Sequence, residues 1–163
     1  MKILSFDQST KVTGWCLYDG KYVDSGIIDK HKIDDVNKRT GEMGIAICEK
    51  ISDVKPDIVV IENVQAQAGV ATVIMLARLQ GIILGYNYAN GVETKILAPT
   101  EWRSALSFKQ GPKVKRKELK EQSINYVKEH LGFDFQEDQC EACCIAIAAQ
   151  KMFENDADEG IDI

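Results

Sequence analysis

A chain of 163 residues, with 45% hydrophobic and 28% charged residues, is long enough for one globular domain and has neither a fibrous nor a disordered composition. Its five cysteines are an odd number without the spacing of a small disulfide scaffold, which excludes that class and predicts the reducing cytoplasm. The net charge of −5 argues at first against a nucleic-acid partner. We expect that no apolar stretch approaches the ~20 residues needed to span a bilayer, and we expect no secretory leader.

The first third of the chain predicts three strands and a helix. A short apolar strand from Ile3 ends at Asp7, and a polar turn leads to a second strand over Val12–Tyr18. The turn pair Asp19–Gly20 precedes a third strand, Lys21–Asp29. Apolar residues at helical spacing then predict a helix over Asp34–Val54, which ends before a proline.

The remainder predicts two further strands and four helices. Asp57–Glu62 is a run of Ile and Val of the kind found in buried parallel strands, and it also ends at an acid. The long segment Ala66–Ala89 is apolar almost all round and predicts a central helix packed on both sides. A strand over Glu93–Leu97 follows, and then come three helices with a loop at Ser107–Lys113: Thr100–Leu106, Lys115–Leu131 and Glu137–Phe153. The order predicts an α/β layer with a hairpin half and a parallel half.

The last predicted helix carries a carboxylate in an unusual place. Its sequence, EDQCEACCIAIAAQKMF, is nearly all small and apolar beyond Asp138, yet Glu141 lies inside that run. An unpaired buried carboxylate costs several kcal/mol unless it is protonated, paired or bound to a metal. Asp138 and Glu141 are three residues apart and share a helix face, although the same spacing also fits a capping box.

Two strands that end in acids favour a metal site over the capping box. Asp7 and Glu62, together with Asp138 and Glu141, would place four carboxylates in one space, where they repel one another without a counter-ion. Oxygen ligands of this kind select Mg²⁺ or Mn²⁺. Two such ions about 4 Å apart can support phosphodiester hydrolysis.

The charge distribution supplies a place for a polyanion. The twelve residues Lys109–Lys120 contain six Lys or Arg and one Glu, whereas the last ten residues, Glu154–Ile163, hold five acids and no base. Without that acidic tail, which we predict to be disordered, the chain is neutral. We therefore predict a single nuclease domain over residues 1–153 and a tail over 154–163.

Three motifs resemble those of the RuvC family of Holliday-junction resolvases, which have an RNase H-like fold. FDQSTKVTGW is similar to the family's first-strand motif, IVVIENV to its second, and EDQCEACCIAIAA to its third, and they occur in the family's order. This sequence departs from the family's motifs at two places. Glu141 stands where Asp or His is usual, and Val64–Gln67 contains no aromatic residue, although the cellular proteins carry one there. These departures affect the expected metal preference and the stacking of a base at the crossover.

The resemblance implies a fold, a chemistry and partners. The fold is a five-stranded mixed sheet, three strands antiparallel and two parallel, flanked by helices. Two Mg²⁺ ions, with Mn²⁺ as a substitute, would be held by Asp7, Glu62, Asp138 and Glu141. A homodimer in the cytoplasm of a bacterium, possibly encoded by a phage, would cut four-way DNA junctions. The residues expected to contact phosphate are Lys109, Lys113, Lys115, Arg116 and Lys117.

Three other interpretations remain open at this stage. The same chemistry could act on flaps, replication forks or three-way junctions. The DQST turn is also similar to the phosphate loop of actin-like nucleotide-binding proteins, although those need two lobes. A junction-binding protein without activity is a third possibility. A zinc site at Cys140 and Cys143 is disfavoured because no further ligands have supporting spacing, and Trp15 and Trp102 are interpreted as packing residues.

Overall fold

The computed structural model describes residues 1–66 and 69–159, with residues 158 and 159 described without their side chains. Five strands and five helices make up the fold over these residues. The strands are β1 (Ile3–Asp7), β2 (Val12–Tyr18), β3 (Tyr22–Asp29), β4 (Ile58–Glu62) and β5 (Glu93–Leu97). The helices are α1 (Val36–Val54), α2 (Val70–Ala89), α3 (Pro99–Ala105), α4 (Arg116–Leu131) and α5 (Glu137–Glu159).

The sheet has the strand order β3-β2-β1-β4-β5, and it is antiparallel in one half and parallel in the other. β1 pairs with β2 antiparallel, with Asp7 opposite Gly14, and with β4 parallel, with Phe6 opposite Ile61. The predicted α/β architecture, a mixed sheet of three antiparallel and two parallel strands flanked by helices, is confirmed. β1 and β4 run in the same direction, so their acidic last residues lie at one edge of the sheet.

Side-chain alternation decides which face each acid occupies. Leu4 and Phe6 of β1 pack with residues of α1 and α2, whereas Ile3 packs with α5 on the opposite face. Because side chains alternate along a strand, Asp7 falls on the α5 face, as Glu62 does two residues after Val60. The α5 face therefore carries both strand-end acids.

Two contacts fix α5 against the sheet. The buried Ser5 hydroxyl donates to the Ala142 carbonyl oxygen at 2.7 Å, and Gln139 Nε2 donates to Ser25 Oγ at 2.7 Å. A Cβ atom added at Gly14 would lie 1.9 Å from the Asp138 carbonyl oxygen, so only glycine allows α5 to begin this close to β2. The start of α5 is thereby held beside the end of β1.

Helix α2 differs from the prediction of a core helix packed on both sides. One face of α2 packs on α1, and the only buried residues of α2 are Leu79, Ile83 and Asn87. Elsewhere on the helix, Val70 and Tyr88 are 78% and 92% exposed. By length and composition α2 is also apolar enough to cross a membrane, so the expectation that no segment reaches that length is wrong. The all-round apolar pattern predicts a helix correctly but does not say what covers it.

Helix α5 is longer than predicted. It continues from Phe153 to Glu159, because neither proline nor glycine interrupts it there, and Gln150 Nε2 donates to Glu154 Oε1 at 2.6 Å. Residues 154–159 of the predicted disordered tail are therefore helical, and 160–163 lie outside the described residues.

All five cysteines are free thiols. Cys16, Cys140, Cys143 and Cys144 are buried between the sheet and α5, and Cys48 on α1 is half-buried. Burial raises the pKa of the Cys140 thiol to about 11, which keeps it protonated and disfavours its use as a metal ligand. The four buried thiols act as small apolar side chains that allow α5 to pack closely on the sheet.

Candidate active site

Three of the four predicted acids meet at the edge of the sheet where β1 ends. Asp7, Asp138 and Glu141 each present one carboxylate oxygen, and these three oxygens lie within 4.8 Å of one another. β1 supplies the first acid, and the first two turns of α5 supply the others. The two residues three apart on α5 share a face, as the sequence predicts.

Glu62 lines the same cleft but lies outside this three-oxygen cluster. Its Oε2 accepts a hydrogen bond of 2.7 Å from Trp102 Nε1 of α3, and Trp102 is fully buried. The side chain of Gln8 clamps the backbone of Glu62: its Nε2 donates to the Glu62 carbonyl oxygen at 2.5 Å, and its Oε1 accepts from the Glu62 amide at 3.2 Å. β4 is thus fixed at the point where it presents its acid.

The pKa of every one of these carboxyls is raised. Burial raises the pKa of Asp7 well above its ordinary value, and the neighbouring Glu141, Glu62 and Asp138 carboxylates raise it further. The hydrogen bond between the Asp7 and Glu141 carboxyls also raises the pKa of Asp7, while it lowers the pKa of Glu141. Buried acids that repel one another in this way are a feature of sites that bind cations.

Burial is also the largest cause of the raised pKa of Glu62, Asp138 and Glu141, although nearby cations lower these pKa values. For Glu62 the Trp102 hydrogen bond is the largest effect that holds the pKa down, followed by Arg103 and Arg116. For Asp138 the pKa is raised by burial and lowered by Lys120 and Arg116. The basic side chains around these carboxylates therefore offset only part of the effect of burial on their pKa values.

A cleft of about 870 Å³ contains the acids and is walled by basic residues on the α3 and α4 side. Arg103, Arg116 and Lys120 line this wall. The Arg103 guanidinium lies 4.8 Å from the Trp102 ring, and its Nη2 is 4.0 Å from Glu141 Oε1, at the outer limit of an ion pair. Lys120 also pairs with Glu137.

The five predicted phosphate contacts are all exposed, but only one of them lines the cleft. Arg116, at the first position of α4, faces the acids, whereas Lys117 pairs with Glu121 at 3.7 Å on the outer surface. The Lys109 backbone is held by both ends of the Gln122 amide. The residues outside the cleft lie on the loop before α4 and on its first turn: Lys109, Lys113, Lys115 and Lys117.

Sequence reasoning misses Trp102, Arg103 and Gln8. Trp102 is a packing residue, as predicted, but its indole N–H also orients Glu62. The role of Gln8 could have been predicted from its position. A polar side chain that follows Asp7 at the end of a strand has few hydrogen-bond partners other than the backbone of the neighbouring strand. Nothing in the pattern of α3 indicates that Arg103 reaches the acids.

The donor set fits a hard divalent cation. Three carboxylate oxygens lie close together, one of them on a carboxyl whose pKa is strongly raised, and a bound cation would relieve their repulsion. Asp7, Asp138 and Glu141 are the residues placed to hold such an ion, and Glu62 lies across the same cleft.

No protein-family model matches the sequence. Among curated proteins, the chain is 27% identical over 117 residues to the crossover junction endodeoxyribonuclease RuvC of Chlorobium phaeovibrioides, across 68% of this chain and 62% of that protein. The chain thus spans less than two thirds of that relative's length.

Solved structures with the same fold include two resolvases bound to DNA. The chain matches Thermus thermophilus RuvC in complex with a Holliday junction substrate with a TM-score of 0.75 and 15% identity, over 94% of this chain and 96% of that one. It matches the Fowlpox virus resolvase in complex with Holliday junction DNA with a TM-score of 0.67 and 17% identity, over 94% and 99%. The yeast mitochondrial Holliday junction resolvase Ydc2 gives a TM-score of 0.59 and 13% identity, over 91% and 77%. The predicted resemblance to the RuvC family and its RNase H-like fold is confirmed.

Proposed function

We propose that this RuvC-like chain is a metal-dependent, structure-specific endonuclease that resolves four-way DNA junctions. The observation that carries the proposal is the meeting of acids from β1, β4 and α5 in one cleft walled by basic side chains. The RuvC relative and the resolvase structures support it. Hydrolysis of a polyanion needs both an acidic centre and basic walls, and the cleft offers both.

The roles of the side chains follow from their places in the cleft. Asp7, Asp138 and Glu141, with Glu62 across the cleft, would hold Mg²⁺, or Mn²⁺ in its place, and two such ions would activate water and stabilise the leaving oxygen. Trp102 and Gln8 keep Glu62 in position. Arg103, Arg116 and Lys120 attract the phosphate backbone to the acids.

Cleavage of synthetic junctions by four variants tests this assignment. Asp7→Asn, Glu62→Gln, Asp138→Asn and Glu141→Gln should each reduce cleavage by at least about a thousandfold, while junction binding without metal stays within severalfold of the parent. Glu49→Gln, at an exposed acid on α1, is the control and should cut normally. Full cleavage by Asp7→Asn with Mg²⁺ would refute the proposal.

The same assay separates junctions from other branched DNA. A panel of a four-way junction, a replication fork, a flap, a three-way junction and a linear duplex should show fastest cleavage of the four-way junction. Fastest cleavage of the flap or fork would assign the same chemistry to the alternative substrate class. No cleavage of any member with either metal would point to a binding protein without activity.

We infer that Arg116 makes the central phosphate contact and that the outlying lysines contribute less. Arg116 lines the cleft, whereas Lys109, Lys113, Lys115 and Lys117 do not. Arg116→Gln should weaken junction binding about tenfold at moderate salt, with each outlying lysine costing less. Lys128→Gln, at the other end of α4, is the matched control.

We also propose that the chain works as a homodimer in the bacterial cytoplasm, with the exposed apolar face of α2 as the interface. Val70, Ile74 and Tyr88 are 78%, 44% and 92% exposed and lie on one side of a helix whose other side packs on α1. Ile74→Glu should convert a dimer into a monomer in sedimentation experiments at micromolar concentration. Ile45→Glu, at an exposed apolar residue of α1, should leave the dimer intact. A monomeric parent protein would contradict the proposal.

A further inference from the structure

Arg39 is a buried cation on α1, in the wall of the cleft that α1 forms. It is 8% exposed, and its Nη1 donates to the carbonyl oxygens of Ile33 at 2.7 Å and Asp34 at 3.5 Å. These contacts hold the guanidinium in place without neutralising it. A buried charge without an opposite charge is unusual, since burying an unpaired ion costs several kcal/mol.

Within the described part of the chain, no carboxylate lies within ion-pair distance of Arg39. Asp35, four residues before Arg39, accepts from the Lys38 amide and caps α1. Arg39 Nε has no hydrogen-bond partner, and Nη2 makes none among the described residues. Nε is buried, so Nη2 is the nitrogen of this guanidinium that can donate a charge-assisted hydrogen bond to a phosphate in the cleft.

The first turn of α2 lines the same part of the cleft. Ala71 and Thr72 line the cleft, as Arg39 does. α1 and α2 meet close by at Thr40, the residue after Arg39, whose Oγ1 is 4.0 Å from Met75 Sδ. Gly69 caps α2 without a side-chain hydrogen bond, and the first turn contains no acid. Backbone N–H groups at the start of a 20-residue helix carry a partial positive charge and attract anions.

We propose that Arg39 and the first turn of α2 form a phosphate-binding site for a DNA strand, on the wall opposite Arg103 and Arg116. The site rests on the proposed function, because its ligand is a backbone phosphate of the junction. Lys11 also lines the cleft and adds to its positive potential. The DNA strand would then be held on both sides of the acids, so that the scissile phosphate is fixed over them.

Salt-dependent binding of a synthetic four-way junction tests the site, with all variants built on Asp7→Asn so that the DNA stays intact. Arg39→Gln should weaken binding at least about tenfold and reduce the slope of log Kd against log salt by about 0.9, the effect of one lost phosphate contact. Arg39→Lys should keep the slope and lose only part of the affinity. Lys21→Gln, at the opposite end of the sheet, is the control and should change neither quantity.

A purely structural role for Arg39 gives a different result. If Arg39→Gln lowers Tm while the affinity and the salt slope match the Asp7→Asn parent, the guanidinium only closes the β3–α1 connection, and the inference is wrong. Thermal unfolding of each variant therefore accompanies each titration.

A second pair of variants decides the matter if Arg39→Gln does not fold. Thr72→Asp places an acid in the first turn of α2, where it stabilises the helix but repels phosphate, and Thr72→Asn is its neutral match. Thr72→Asp should bind the junction at least about tenfold more weakly than Thr72→Asn, with an equal or higher Tm. Equal binding by the two would overturn the inference. Absence of junction binding by the Asp7→Asn parent would instead remove the proposed function, and this site with it.

Discussion

A Cβ atom on Gly14 would lie 1.9 Å from the carbonyl oxygen of Asp138, so that β2 and the start of α5 meet with no room for a side chain. This contact sets the depth at which α5 presents Asp138 and Glu141 to the end of β1. Gly14→Ala should therefore move the start of α5, reduce cleavage at least about a hundredfold and destabilise the fold by about 1–3 kcal/mol.

Urea unfolding and cleavage assays check this prediction against a glycine with open space around it. A Cβ atom at Gly41 in α1 would meet nothing within 4 Å, so Gly41→Ala should be neutral or stabilise by up to about 1 kcal/mol. Normal cleavage by Gly14→Ala would show that α5 does not depend on this close approach.

The acids should make the metal-free protein less stable at neutral pH than in mild acid. The pKa of Asp7 is raised in the folded chain, so the native state holds its proton more tightly than the unfolded state. Stability is consequently lost as pH rises from about 4, the pKa of an unfolded Asp, through the raised value of the folded state. Each unit of such a shift corresponds to about 1.4 kcal/mol.

Comparison with Asp7→Asn isolates this effect from other titrating groups. With a chelator present, Asp7→Asn should have a higher Tm than the parent at pH 7, and the difference should shrink at pH 5. Glu49→Gln should show no such pattern, because that side chain is exposed. A parent more stable than Asp7→Asn at pH 7 in the chelator would contradict the prediction.

Divalent cations should reverse the destabilisation. A ligand that binds only the folded state raises the free energy of unfolding by about 2.7 kcal/mol at a hundred times its Kd. Mg²⁺ and Mn²⁺ should each raise the Tm of the parent at pH 7, and Glu141→Gln and Asp138→Asn should lose most of this increase. An equal increase in both variants would place the ion away from the cluster formed by Asp7, Asp138 and Glu141.

Trp102→Phe should separate the positioning of Glu62 from the packing of the core. Phenylalanine keeps most of the buried ring but removes the 2.7 Å hydrogen bond to Glu62 Oε2, and with it the largest effect that lowers the pKa of Glu62. We expect cleavage to fall roughly tenfold at pH 7, with the acidic limb of the pH–rate profile shifted to higher pH and junction binding unchanged. An unshifted profile would leave Trp102 with only a packing role.

Short-range patterns predict much of this fold and part of the site. The apolar runs that end at Asp7 and Glu62, and the acid within the small apolar residues of α5, place the acids correctly on their elements. Strand alternation then puts both strand-end acids on the α5 face.

The remainder depends on contacts between residues distant in sequence. Trp102 meets Glu62 across 40 positions, and Gln8 holds the Glu62 backbone across 54, so no local periodicity reveals either contact. Helix α2 is apolar all round, and such a pattern cannot distinguish a helix inside its own core from one left open to a partner. Arg103 and Arg39 reach the cleft only because of how α3 and α1 are oriented in the fold.

The burial of four of the five thiols makes Cys48 a natural attachment point for a fluorescent probe. A maleimide dye should label this half-exposed side chain on α1 much faster than Cys16, Cys140, Cys143 or Cys144 under native conditions. A donor dye there and an acceptor on one arm of a junction would report the docking of the DNA by energy transfer, without any engineered cysteine.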